Sequence, residues 1–382
     1  MSQGKAAIVT IVDHENFGNR LQNFALQEAL GALGWDATTI RNTPPPMARR
    51  LLISRALLAL RKDGPLDFAR RNGALLMDRV RRRPPAPKPR FADRRHGAMT
   101  AFTQRHVATT VEDFTELPAH EWADRFDVVV VGSDQVWNHG FRNAQEIDFL
   151  TFAPTNRRIA YAASFGVANI PQFLRTRYMD WLNGIPHLSV REERGAQIVG
   201  ELTGRDVPVV VDPALLFDAD DWRRFAHAED APEGDGFAVR FFLGGATREQ
   251  NAWVEAHAAS KQVRLVDIAD LTAQESAELD PFGFVRKLAQ AQFIATDSFH
   301  TALFALQFQR PIVLRSRDET DVRLHTLMNL HGIRPAPTDI AGLTTVEDAD
   351  WATVEATIRE RREQSWEFLR ASLRAAAPAG AA

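Results

Sequence analysis

A short polar stretch between a strand-like run and a helix-like run carries the residues best suited to chemistry in this chain. Asp297, Ser298 and His300 follow an apolar run typical of a fully buried parallel strand, and an amphipathic helix pattern comes after them. In open α/β sheets, ligands bind at the turns that leave the carboxyl ends of strands, and helix N-termini favour anions. We therefore expect Asp297 or Ser298 to cap the helix and His300 to face an anionic ligand. The same pattern also fits a capped helix with a buried, hydrogen-bonded histidine.

Polar or glycine residues follow further strand-like runs in the first part of the chain. The predicted strands cover residues 6–12, 126–131, 158–163, 188–190 and 207–211. Such a set is about what one Rossmann-like domain needs. Gly18, in the turn after the first run, could let backbone approach a ligand or could simply permit a tight turn. The turn is not a GxGxxG sequence, so it does not specify a dinucleotide.

Arg191 and Asp134 are the charged candidates at these strand ends. Arg191 could clamp a carboxylate or phosphate, or it could pair with an acid of its own domain. Asp134 could act as a base toward a hydroxyl, or it could close an Asx turn. Ser298 could donate to a phosphate or only cap its helix. These alternatives stay open at the level of sequence.

Length and pattern together favour two domains. The chain has 382 residues, of which 45% are hydrophobic, and a second strand–glycine–helix series begins near residue 237 with Gly244 at its first turn. We predict an α/β protein of two Rossmann-like domains that face each other across a cleft, as in GT-B proteins. The predicted domains are 1–217 and 236–382, and a terminal helix could cross back to the first domain.

Residues 44–106 differ in character and are predicted to be a basic helical insertion in the N-terminal domain. Between Arg49 and Lys62, apolar and basic residues alternate as in a basic amphipathic helix, and a proline-rich basic run follows. Such a helix could lie on an anionic membrane surface or meet a polyanionic acceptor. It could equally pack by its apolar face and leave its charges in solvent.

Composition excludes several classes of function. The net charge of −3 gives no reason to expect a nucleic-acid partner, and the absence of cysteine excludes disulfides and thiolate sites. No apolar run is long enough to span a bilayer, and the N-terminus lacks a secretory pattern, so we expect a cytoplasmic protein. His14 lies directly between Asp13 and Glu15 rather than on one face with them, so no metal site is predicted.

Six motifs, taken in order, resemble the polysaccharide pyruvyl transferase family. They lie at residues 16–27, 132–138, 161–166, 189–192, 212–216 and 297–300. The resemblance spans residues 16 to about 331 and implies a GT-B-like fold. It also implies phosphoenolpyruvate as donor and transfer of its pyruvyl group to a sugar as a ketal, with release of phosphate and without a cofactor. Thr301 departs from the glycine that often follows the histidine, and the basic segment is not covered.

On this resemblance, His300, Asp134 and Arg191 are the predicted catalytic residues. His300 would serve as acid/base or phosphate contact. The predicted substrate-binding residues are Asn16, Gly18, Asn19, Arg20, Ser133, Ser164, Gly244, Ser298 and Thr301. The acceptor would be a sugar or glycan, which could be lipid-linked. Two rival functions are a glycosyltransferase that uses a nucleotide sugar and a non-catalytic family member that serves as a binding module.

Overall fold

A computed structural model describes residues 3–43, 91–228, 236–316, 322–347 and 349–377. The basic helix predicted between Arg49 and Lys62 lies outside these described residues. Below, the first half denotes the described residues up to 228 and the second half those from 236 onward. Each half is built around one six-stranded sheet.

The sheet of the first half is entirely parallel. Its strands are β1 (Gly4–Val9), β2 (Trp35–Arg41), β3 (Thr109–Asp113), β4 (Val128–Val131), β5 (Arg158–Ala163) and β6 (His187–Val190). Their spatial order is β3-β2-β1-β4-β5-β6, and each neighbouring pair is parallel. The order reverses between β1 and β4, where Val9 pairs with Val131. Ligands of doubly wound sheets bind at the carboxyl side of such a switch point.

The sheet of the second half is mostly parallel. Its strands are β7 (Phe237–Phe241), β8 (Arg264–Asp267), β9 (Ile294–Thr296), β10 (Ile312–Arg315), β11 (Ala336–Pro337) and β12 (Leu343–Val346). Their order is β8-β7-β9-β10-β12-β11, in which β11 and β12 are antiparallel additions at one edge. The switch point lies between β7 and β9, so the turn after β9 occupies the ligand-binding position predicted for it.

Helices connect and cover both sheets. Among the described residues the α-helices are α1 (Phe17–Ala32), α2 (Ala92–His106), α3 (Ala119–Arg125), α4 (His139–Arg142), α5 (Gln172–Asn183), α6 (Glu193–Thr203), α7 (Ala219–Phe225), α8 (Arg248–Ser260), α9 (Gln274–Ala277), α10 (Pro281–Gln290), α11 (Phe299–Gln307), α12 (Val322–Leu330) and α13 (Trp351–Ala376). The first helix begins at Phe17 because the side chain of Asn16 caps it. No helix in the described part of the chain is long and apolar enough to cross a membrane.

Residues 207–211 do not form the strand predicted for them. Their only ladder contact is a single bridge between Val209 and Val190, at the outer side of β6. Pro208 has no N–H to donate, which prevents a continuous ladder through this segment. The segment nevertheless runs beside β6 and delivers Asp212 to the carboxyl edge of the first sheet.

A continuous apolar core joins the two halves. The ring of Phe17 in α1 stacks on Phe284 in α10 at 4.5 Å, and Phe24 packs edge-on against Phe282 at 5.3 Å. Residues of both sheets belong to this one buried cluster. The predicted α/β fold of two facing Rossmann-like units is confirmed, whereas the domain limits at 217 and 236 stay predictions.

Helix α13 contacts the first half although it is the last element of the chain. Nε of Arg362 donates to the carbonyl of Leu215 at 2.6 Å, and the indole N–H of Trp366 donates to Leu216 at 3.0 Å. The N–H of Val211 donates to the hydroxyl of Ser365 at 3.0 Å. Through these contacts, α13 fixes the backbone on both sides of Asp212.

Candidate active site

The first turn of α11 reaches from the second half of the molecule into the first. Ser298 caps this helix because its Oγ accepts a hydrogen bond from the N–H three residues on, at 3.5 Å. The ring of Phe299 lies over the guanidinium of Arg191, whose Cζ is 4.5 Å from the ring centroid. Nε2 of His300 lies 3.5 Å from Oδ2 of Asp212. Two consecutive side chains of α11 therefore contact charged residues of the first half.

Asp297 positions a loop instead of capping the helix. Its Oδ1 accepts a hydrogen bond from the N–H of Leu243 at 2.7 Å, and its Oδ2 lies 3.4 Å from Nη2 of Arg315. This bond holds the turn after β7, which includes the predicted ligand residue Gly244, next to the start of α11. Gly244 itself is half-buried.

Asp212 is the residue around which the site is arranged, and the sequence-based prediction did not include it. Its Oδ2 accepts hydrogen bonds from Nη1 of Arg191 at 2.6 Å and from Oγ of Ser133 at 3.2 Å. Its Oδ1 accepts from the N–H of Ala214 at 3.0 Å. With His300 as a fourth neighbour, this fully buried carboxylate joins both halves. Its position after a strand-like run, like that of Asp134, was the available signal.

Asp134 lies on the other side of Arg191. Its Oδ2 accepts from Nδ2 of Asn19 at 2.8 Å, and its Oδ1 accepts from the N–H of Gln135 at 2.8 Å. Oδ1 is also 3.6 Å from Nη2 of Arg191. Asp134 therefore belongs to the buried charge cluster, whereas its role as a base toward a hydroxyl stays a prediction.

Electrostatics keep the cluster ionised. Burial alone would raise the pKa of Asp212, but its interactions with His300 and Arg191 outweigh burial and hold the pKa below its ordinary value. Burial likewise opposes ionisation of Asp134, and Arg191 and His300 again lower its pKa. Burial disfavours the charged form of Arg191, but Asp212 and Asp134 raise its pKa. At neutral pH two carboxylates and a guanidinium therefore face His300.

The start of α1 forms the opposite wall of the site. Asn16 caps this helix by accepting a hydrogen bond from the N–H of Asn19 at 3.2 Å. A Cβ atom added at Gly18 would overlap the ring of His300. Only glycine therefore allows this contact, and the N-termini of α1 and α11 meet at the imidazole.

Three further predicted residues are buried close to this cluster. Nη2 of Arg20 donates to the carbonyl of Ile11 at 2.6 Å, and burial lowers the pKa of Arg20 to about 10. The N–H of Ser164 donates to the carbonyl of Asp134 at 3.0 Å, while its hydroxyl has no hydrogen-bond partner in the described chain. The hydroxyl of Thr301 likewise has none among the described residues. The roles of these residues stay predictions.

Comparison with known protein families shows the family to which this chain belongs. Residues 16–319, well over half of its length, match the profile described as polysaccharide pyruvyl transferase. The chain belongs to the polysaccharide pyruvyl transferase family. The six motifs at residues 16–300 lie inside the matched range, and the family predicted from them is confirmed. Family membership gives this pyruvyl transferase its general activity, pyruvyl transfer, and a glycan as its class of acceptor.

A search of solved structures finds a similarity to a spinosyn rhamnosyltransferase, SpnG, complexed with thymidine diphosphate. The match covers 97% of this chain and 95% of the other, at 12% identity and a TM-score of 0.31. A similarity this low carries no argument about the ligand of this pyruvyl transferase. A comparison with curated protein sequences finds no match.

Proposed function

We propose that this pyruvyl transferase uses phosphoenolpyruvate as donor and forms a pyruvate ketal on a sugar, with release of phosphate. The observation that carries the proposal is the meeting of the N-termini of α1 and α11 at His300, beside buried Arg191. Helix N-termini carry partial positive charge and favour anions. Phosphoenolpyruvate brings a phosphate and a carboxylate, and an imidazole can exchange protons near neutral pH.

The proposed reaction makes two carbon–oxygen bonds at one carbon. In the first step, C3 of phosphoenolpyruvate gains a proton, while C2 is attacked by a sugar hydroxyl that loses its proton. Phosphate then leaves C2 with the bonding electron pair, and a second hydroxyl bonds to C2 and loses its proton. His300 would exchange these protons, and Asp134 would be the second candidate base. Proton transfer and anion stabilisation account for each step, so the proposal includes no metal ion or cofactor.

Arg191 has hydrogen-bonding capacity left for an anion. Nη1 is used by Asp212, but Nε and Nη2 have no hydrogen-bond partner among the described residues. The pairing with Asp212 is what a structural arginine would show, whereas the two remaining donors support an anion clamp. Arg191 is 3% exposed and His300 is 6% exposed, so the donor can reach them only after a local opening of the site.

The activity is tested by product formation in deuterated water. The protein is incubated with phosphoenolpyruvate and a panel of methyl glycosides, with phosphate followed by ³¹P NMR and the ketal by ¹H NMR. We expect phosphate and ketal in equal amounts, with one deuterium in the methyl group because C3 takes its proton from exchangeable positions. Phosphate release without a ketal on any glycoside would contradict the proposed transfer.

Donor choice is tested separately by thermal unfolding. A ligand that binds only the native state adds about 2.7 kcal/mol at ~100 times its dissociation constant. We expect stabilisation by phosphoenolpyruvate and a reduced effect in Arg191→Lys. Stabilisation by nucleotide sugars alone would favour the glycosyltransferase alternative, and no stabilisation by either class would favour a binding module.

The location of the acceptor gives a further test. We propose a cytoplasmic enzyme that meets a lipid-linked sugar at the inner face of the membrane through the basic sequence between Arg49 and Lys62. The measurement is co-sedimentation with liposomes with and without anionic lipid. We expect binding only to anionic liposomes and weaker binding at high salt. Absence of binding at every salt concentration would contradict the idea.

A further inference from the structure

We propose that Asp212 is a positioning residue that fixes the tautomer of His300, and that Nδ1 of His300 is the nitrogen that exchanges protons with the substrate. The inference deepens the pyruvyl transfer proposed above and rests on it for the identity of the substrate. It starts from the direction in which the two ring nitrogens point.

Nε2 of His300 is directed at a carboxylate that cannot move away. Oδ2 of Asp212 lies 3.5 Å from Nε2, and no other hydrogen-bond partner for Nε2 exists among the described residues. Arg191, Ser133 and the N–H of Ala214 all donate to this carboxylate. A charged carboxylate only accepts hydrogen bonds, so the facing nitrogen must carry the hydrogen. Neutral His300 therefore has its proton on Nε2 and its lone pair on Nδ1.

Nδ1 lies at the edge of the ring that adjoins Gly18. An added Cβ at Gly18 would overlap both Nδ1 and Cγ of His300. The backbone of Gly18 therefore packs directly against this edge of the ring at the start of α1, and only a residue without a side chain leaves room for the imidazole there. With the hydrogen on Nε2, the lone pair on Nδ1 is the one that can take a substrate proton.

The surrounding charges favour transfer at Nδ1. Asp212 and Asp134 of the first half lie close to His300, and Arg191 is the nearby cation. When Nδ1 takes the proton of a sugar hydroxyl, the resulting imidazolium is stabilised by Asp212, while Arg191 opposes it. The same proton can then be returned to C3 of the donor or to the leaving phosphate. An Asp–His pair acts in this manner in serine hydrolases, where the carboxylate orients the ring.

The tautomer is measured directly on the wild-type protein. Histidine is labelled with ¹⁵N, the His300 signals are assigned by their loss in His300→Gln, and long-range ¹H–¹⁵N spectra are recorded at a pH where the ring is neutral. We expect the Nε2–H form. The Nδ1–H form would overturn the inference. Since no donor or acceptor is needed, this result is independent of whether pyruvyl transfer itself is correct.

Asp212→Asn tests the consequence for catalysis. The amide can donate a hydrogen bond to Nε2, which removes the tautomer preference and the negative charge beside the ring. We expect kcat to fall by about 10²–10⁴-fold and the limb of the pH–rate profile that reports His300 to move to lower pH. Unchanged tautomer and pH profile in Asp212→Asn would overturn the inference.

Asp148→Asn is the matched control for this variant. Asp148 is also a fully buried aspartate of the first half that pairs with an arginine, Arg142, but it does not contact His300. We expect this variant to retain the wild-type tautomer and pH profile. An equal shift of the profile in both variants would assign the effect to general loss of structure and overturn the positioning role.

Discussion

Two buried arginine–aspartate pairs of the first half differ in how fully their hydrogen bonds are satisfied. Nε of Arg142 donates to both oxygens of Asp148 at 3.1 Å, and its Nη2 donates to Asp148 at 2.7 Å and also to Asn42. Arg191 forms a single hydrogen bond to Asp212, at 2.6 Å, and its Nε and Nη2 have none among the described residues. We call Arg142–Asp148 the closed pair, because the hydrogen bonds of the arginine are used within the protein. We call Arg191–Asp212 the open pair, because two donor atoms of its arginine remain unused beside His300.

The carboxylates of the two pairs also differ in their electrostatics. Burial raises the pKa of Asp148 to about 6, although Arg142 opposes the shift. The pKa of Asp212 is lowered instead: burial opposes this shift, but His300 and Arg191 outweigh it. A buried ion pair alone is weak evidence of function. The unused donors of Arg191 and the contact with His300 of the other half distinguish the candidate site from the structural pair.

The strongest test of this distinction removes the imidazole. His300→Gln is expected to lower kcat by about 10²–10⁴-fold, because a positioned acid/base contributes that much. The free energy of unfolding should change little by comparison, since Nε2 makes no short hydrogen bond. Phosphate release and urea unfolding measure the two effects. Activity within tenfold of wild type would show that His300 is only a buried structural residue.

The closed pair is expected to respond in the opposite way. Arg142→Met leaves Asp148 buried without its cation, which should cost about 3–5 kcal/mol of unfolding free energy. Replacing both residues, as in Arg142→Met with Asp148→Leu, should recover much of that loss. Activity per folded molecule should stay near wild type in both variants. A large loss of activity at full stability would place Arg142 in the catalytic machinery, and the two arginine–aspartate pairs would then no longer differ in function.

His331 extends the comparison to a buried ionisable group that has no hydrogen-bond partner among the described residues. Burial, aided by the charge of Arg361, lowers its pKa from 6.5 to about 4, and neither ring nitrogen has a hydrogen-bond partner in the described chain. Between about pH 6.5 and pH 4, His331 is protonated in the unfolded chain but stays neutral in the folded protein. Stability should therefore fall by about 2 kcal/mol between pH 7 and pH 5.

The measurement compares urea unfolding of wild type and His331→Leu at both pH values. Other groups titrate in both proteins alike, so the difference isolates His331. We expect a flatter pH dependence in the variant. The same pH dependence in both proteins would show that His331 is protonated without penalty in the folded state.

Local patterns in the sequence sufficed for much of the fold. The four-valine strand β4, the strand before Asp297 and the capped start of α11 follow from residue types within one short window. The prediction for residues 207–211 was wrong because apolar residues suggested a strand, while Pro208 limits the ladder to one bridge.

The candidate site was predictable only in part. His300, Arg191 and Asp134 stand at strand ends, and each was recognised from that position. Their contacts depend on Asp212, which the structure brings to His300 from a distant part of the chain. No sequence spacing indicates that pairing or the need for glycine at position 18. Such relationships arise only when the two halves pack together.

The most direct test of the central claim is calorimetric titration of phosphoenolpyruvate into Arg191→Lys and Arg142→Lys, beside wild type. Both variants keep the positive charge of a buried pair, and folding of each is checked by circular dichroism. Charged hydrogen bonds contribute about 1.5–3 kcal/mol, so Arg191→Lys should weaken binding by about 10–100-fold. Arg142→Lys should bind as wild type does. Equal affinity in the two variants would contradict the assignment of the open pair as the donor site.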